Sequence, residues 1–131
     1  MTNAAGTFEI TSMGEATYAE LGERGKLTHA NGTQRFSGDI EGDGSVEWLM
    51  CWLPDGGASY VGLQRIDGSI GERKGSLVIR SAGRFDGASS KGSWEIVDGS
   101  GTADLAGITG EGGFEAPGGP NASYSLEYRL P

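Results

Sequence analysis

Tyr60 and Gln64 are the side chains of this sequence best suited to handle a small molecule, and they stand four residues apart in the run Ser59-Tyr60-Val61-Gly62-Leu63-Gln64-Arg65-Ile66. With a period of two they share one strand face, separated by Gly62, which leaves room beside large neighbours. A buried amide donates and accepts hydrogen bonds without the large desolvation cost of a carboxylate, so Gln64 suits a ligand carbonyl or hydroxyl. It can orient a ligand but cannot serve as its base. The nearest proton donor is Tyr60, and these two form the candidate catalytic pair. The preceding run Val46-Glu47-Trp48-Leu49-Met50-Cys51-Trp52-Leu53 carries two of the three tryptophans and the only cysteine. Its large apolar face holds Trp48, Met50 and Trp52. Ser81 and Trp94 fall at alternating positions of later strands, completing the candidate ligand-binding set Trp48, Met50, Trp52, Ser81 and Trp94.

Other chemistries find little support. The one histidine, His29, and the one cysteine, Cys51, lie far apart, and no His or Cys cluster offers a metal site. Asp39-Ile40-Glu41-Gly42-Asp43-Gly44 starts like a calcium loop, but Met50 occupies the position of the bidentate glutamate, and the segment reads better as an acidic turn. There is no Gly-x-Ser-x-Gly, and Cys51 sits in an apolar strand where a thiol behaves as a small hydrophobe. The glycines from Gly99 to Gly113 precede nothing helical, so they read as turn and bulge residues rather than a dinucleotide loop. No cofactor is expected.

The elements that must position the candidate set are short strands. Gly6–Ser12 alternates, with Phe8 and Ile10 facing the core. Met13–Lys26 is polar and interrupted by glycines, which predicts a loop of the kind that can serve as a lid. Leu27–Ile40 reads as one long strand with a bulge or kink at Gly32, and Gly42-Asp43-Gly44 as the turn into the central hairpin. Pro54-Asp55-Gly56-Gly57 is the next turn, Asp67–Arg73 another, and Asp86-Gly87 a third. Gly75–Ala82, Lys91–Val97 and Ala122–Leu130 read as further strands. About eight strands at this spacing suit an antiparallel barrel or a sandwich. The outward residues Leu49, Leu53, Val61, Leu63 and Val78 then form an apolar patch, which predicts a homo-oligomer, most simply a dimer.

Composition bounds the rest. The chain has 131 residues, which makes one domain spanning 1–131, and its 25 glycines lack a collagen period. A formal charge of −8 with scattered Lys and Arg argues against nucleic acid. No run approaches membrane-spanning length, no segment resembles a signal peptide, and a single cysteine cannot pair internally. The expected setting is a reducing cytoplasm.

Three motifs in order carry a family resemblance: Phe36-Ser37-Gly38-Asp39-Ile40-Glu41-Gly42, then Tyr60-Val61-Gly62-Leu63-Gln64-Arg65, then the Gly-rich Gly99–Phe114. Together they resemble the bacterial DUF3224 family, from about Gly6 to the C-terminus. The resemblance implies an allene oxide cyclase-like, calycin-like barrel of eight antiparallel strands. Such barrels are hydrophobic cups that fold a reactive chain and guide ring closure by shape and a few polar contacts, without a triad, metal or cofactor. This implies a binder of a small apolar or polyketide-like molecule, and a cyclase or isomerase activity. Relatives commonly read Gly-Leu-Glu-Arg where this chain has Gly62-Leu63-Gln64-Arg65, and Gln-His where it has Arg80-Ser81. Both departures remove an ionisable group, so an acid-base pair at those positions has no counterpart here. The same aromatic residues also fit a non-catalytic binding or structural barrel, in which they only fill the core.

Overall fold

Strict alternation of buried and exposed positions along most strands leaves one inward row per strand, and eight such rows close on themselves. The computed structural model describes residues 1–131. Its strands are β1 (Thr2–Glu20), β2 (Lys26–Gly38), β3 (Ile40–Trp52), β4 (Ala58–Ile70), β5 (Arg73–Phe85), β6 (Ser90–Ile96), β7 (Thr109–Ala116) and β8 (Asn121–Arg129). They form a closed antiparallel barrel in sequence order, β8 returning to pair with β1. The eight-stranded all-β barrel expected from the sequence is therefore the fold. No helix is long and apolar enough to cross a membrane.

Four sequence expectations need correction. Met13–Lys26 is not a loop: β1 continues to Glu20, and only the short 3-10 turn Gly22–Arg24 separates it from β2. Gly42-Asp43-Gly44 lies inside β3, paired with Phe36-Arg35-Gln34 on β2, and the chain reverses at Asp39 instead. That tight turn holds because Asp39 Oδ2 accepts the Ala5 N–H at 2.9 Å and the Tyr124 hydroxyl accepts the Ile40 N–H at 2.9 Å. Gly32 marks no bulge, since its pairing with Val46 is in unbroken register; the register shifts lie on β1, between Ile10 and Ser12 and between Thr17 and Ala19. Finally, β4 runs through Asp67 to Ile70, and the turn is confined to Gly71 and Glu72.

The two ends of the barrel differ. At one end Ile40, Ile66, Ile70, Leu77, Ile79, Ile96 and Leu126 pack into a solid apolar plug. The long β6–β7 connection seals it, inserting Leu105 and Ile108, both almost fully buried. Thr102 ties that connection down by accepting the Ser76 N–H at 3.0 Å. Across the middle, Trp94 lies 6.0 Å from Phe8, 6.3 Å from Phe36, 6.0 Å from Phe114 and 5.9 Å from Tyr124, ring centre to ring centre. These distances are those of favourable aromatic pairs. Above this layer the interior opens.

Candidate functional site

A cavity of about 290 Å³ occupies the upper half of the barrel. That is close to the lower bound, roughly 300 Å³, of typical small-molecule sites. Its mouth lies among the β5–β6 and β7–β8 turns, where Ala88, Gly118, Gly119 and Pro120 reach the rim. The rim is held locally: the Asp86 carboxylate accepts the backbone N–H groups of Ser89 and Ala88, which hold its pKa below the usual carboxylate range.

All seven residues singled out in the sequence, Tyr60, Gln64, Trp48, Met50, Trp52, Ser81 and Trp94, reach the wall of this one cavity. Strand pairing explains why. Trp48 stands opposite Gly62, Met50 opposite Tyr60, Ser81 opposite both Gly62 and Trp94, and Val46 opposite Gln64. The glycine is required there, because a Cβ on residue 62 would lie 2.3 Å from the Glu47 carbonyl oxygen and 2.8 Å from Trp48 Cδ1. Trp94 forms the floor with Phe8, whereas Trp52 stands half-buried near the mouth, edge-on to Phe85 at 5.8 Å.

Three polar groups on the wall escape a sequence reading. Gln34 on β2 accepts a hydrogen bond from Gln64 Nε2, so the buried anchor is an amide pair rather than Gln64 alone. Ser90 at the start of β6 pairs with the Tyr60 hydroxyl. Burial pushes the Tyr60 pKa up, against a smaller downward effect of the Ser90 bond, so the phenol remains a neutral proton donor at physiological pH. The third is Glu15 on β1, whose Oε2 accepts hydrogen bonds from Trp52 Nε1 and Thr28 Oγ1, both at 2.7 Å. The pairing of Gln34 with Gly44 placed it on the inward row, and its alternation with Phe36 was the signal that could have found it. No group of three or more His, Cys, Asp or Glu side chains gathers closely enough to hold a metal ion.

Comparison with known proteins establishes the kinship of this barrel. The family profile described as "Protein of unknown function (DUF3224)" matches residues 4–128. This chain belongs to the DUF3224 family. A solved DUF3224 protein of unknown function from Shewanella oneidensis MR-1 superposes with a TM-score of 0.84 at 22% identity, covering 100% of this chain and 98% of the other. A search among curated proteins found no match. At that identity the DUF3224 relative shows the fold alone.

Proposed function

We propose that this DUF3224 barrel is a binding cup for one small, predominantly apolar molecule. The observation that carries the reading is the split interior: apolar side chains fill one end, while at the other they line open space. If the aromatic residues served only as core, dense packing would extend to both ends, since empty apolar volume is destabilising. Instead Trp48, Trp52, Phe85 and Phe114 present half-buried faces around a cavity whose polar groups are few and fixed by one another. This is how small-molecule sites are built, from apolar walls with a handful of placed polar atoms. A reducing cytoplasm suits the unpaired, half-buried Cys51.

A cofactor-independent cyclase or isomerase is the catalytic form of the same proposal. Its support is Tyr60, a neutral phenol held by Ser90 in an apolar wall and able to give a proton to a ligand oxygen. Gln64 and Gln34 would then orient that ligand.

The test is tryptophan fluorescence titrated with a panel of lactones, ketones and fatty acids. A saturable change is expected with at least one of them, and Trp52→Ala, which removes a wall rather than a floor, should weaken it by about tenfold or more. No response to any member, with Trp52→Ala leaving emission changes equally absent, would leave the barrel a structural one. For the catalytic form, Tyr60→Phe should keep binding and abolish conversion of a bound ligand.

A further inference from the structure

Of the residues that line the cup, Glu15 alone carries a charge, and no lysine or arginine reaches the cavity. Its position results from the register shift on β1. Before the shift the even-numbered residues Ala4 and Phe8 face inward; after it, Met13 pairs with the buried Gly32, Glu15 with the buried Ala30 and Thr17 with the buried Thr28. One extra residue thus turns a carboxylate into the mouth of an otherwise apolar cup. Both bonds the chain makes to it, from Trp52 and Thr28, end on Oε2. Oε1 keeps its acceptor capacity for something else. Glu15 is an exposed residue, but a buried threonine hydroxyl and an indole N–H that both aim at one oxygen hold its carboxylate in place at the mouth.

We infer, resting on the binding-cup reading, that the ligand is an amphiphile whose polar end is a hydrogen-bond donor and preferably a cation, such as a protonated amine, seated on Glu15 at the mouth with its apolar body against the tryptophans. Aromatic walls reinforce this choice, because the negative ring faces attract an ammonium and disfavour a carboxylate. A fatty acid would bring its own negative charge next to Glu15 with no cation in the cup to pair with it. A neutral alcohol can donate one hydrogen bond to Oε1 and falls between the two.

Octylamine, 1-octanol and octanoate present three heads on one chain, and isothermal titration calorimetry at low salt ranks them. The expected order is amine, alcohol, carboxylate, with amine and carboxylate separated by about tenfold or more. Glu15→Gln keeps an acceptor for Trp52 and Thr28, so it should fold normally, keep the alcohol's affinity and lose most of the amine's advantage. Because the chain carries a formal charge of −8, general attraction of cations is controlled by Glu72→Gln in the β4–β5 turn at the closed end, which should leave the order intact. Binding of all three heads with equal affinity, or a preference that survives Glu15→Gln, would overturn the assignment and leave the cup standing. Failure of all three to bind would overturn the cup and this inference together.

Discussion

Ser12 Oγ lies 2.6 Å from Thr33 Oγ1, and Thr11 Oγ1 lies 2.7 Å from the same oxygen, so two consecutive residues of β1 are clipped to one residue of β2. This is a β-bulge fastened by side chains, and it sets which face of the rest of β1 looks inward. Below it, β1 pairs with both β2 and β8; above it, β8 has ended at Asn121 and β1 is held by β2 alone. The bulge is therefore cheap to alter without opening the barrel. Deleting Thr11 should remove the extra residue and leave Ile10, Met13 and Glu15 on one inward row in plain alternation, opposite Gln34, Gly32 and Ala30, while the far-UV spectrum stays that of an intact barrel. The indole N–H resonance of Trp52 reports the outcome: it should keep its position because Glu15 still accepts from it, and a shifted resonance would show that β1 had slipped by one residue instead.

The hydroxyl of Tyr124 accepts the Ile40 N–H and lies 3.0 Å from the Ser37 carbonyl oxygen, to which it donates, spanning the turn between β2 and β3. Tyr124→Phe leaves the buried Ile40 N–H without this acceptor and should cost about 1–3 kcal/mol in chemical denaturation. Burial raises the pKa of both Tyr124 and Tyr60 above 10.0, the ordinary tyrosine value. The unfolded chain then loses these protons first as pH rises, so the stabilisation is complete below about pH 10 and disappears as the pH passes the folded pKa values. Urea midpoints measured from pH 8 upward should fall at the alkaline end, and less steeply in Tyr124→Phe.

Leu49 and Val61 are directly opposed across β3 and β4 on the outer wall, with Leu63 two residues along, and each is more than half exposed at 53%, 54% and 54%. Leu53 adjoins them near the rim, while Val78 is half-buried, its backbone N–H bonded to Ser100 Oγ. The patch is flanked by the close approach of His29 Nε2 to Glu47 and by the ion pair of Arg80 with Glu95, which would border a contact without filling it. A dimer through this face is the expected solution state. Sedimentation velocity should show it, and Leu63→Glu should shift it to monomer with the barrel unchanged. A monomer at high concentration in the unsubstituted protein would contradict the expectation.

How legible this was depended on whether neighbours or parity decided a residue's fate. Trp48, Met50, Trp52, Tyr60 and Gln64 sit on two regular strands joined by a Pro-Asp-Gly-Gly turn, so alternation alone put them on one wall. Glu15 was invisible for the opposite reason: counting in twos from Phe8 sends it outward, and a bulge in a run of small polar residues leaves no mark that a sequence shows. The polar composition of Met13–Glu20 likewise suggested a loop, although β2 supplies backbone partners as far as Glu20 paired with Lys26. Glycines misled at Gly42 and Gly44, where the need is space rather than a turn: a Cβ on residue 44 would meet the Phe36 ring at 2.8 Å and Gln34 Oε1 at 2.9 Å.

The same Gln34 reshapes what is expected of Gln64. Had Gln64 stood alone, Gln64→Leu would remove a lone buried amide and be nearly harmless to the fold. Paired, it leaves the Gln34 carbonyl oxygen, a buried acceptor on the cavity wall, without its donor. Gln64→Leu should therefore destabilise by about 1–3 kcal/mol, and Gln34→Leu by a similar amount, because each strands one polar group. The double variant strands neither and adds apolar surface to the wall, so most of the loss should be recovered, a coupling that a double-mutant cycle measures directly. Ligand binding separates the pair's two duties. If the amides orient an oxygenated ligand, the stable double variant should bind ketones and lactones no better than hydrocarbons of equal length, whereas the unsubstituted barrel should favour the oxygenated ones. A double variant that keeps that preference would mean the amides serve the fold alone, and selectivity for oxygen would then have to come from the hydroxyl donors of Ser81 or Tyr60.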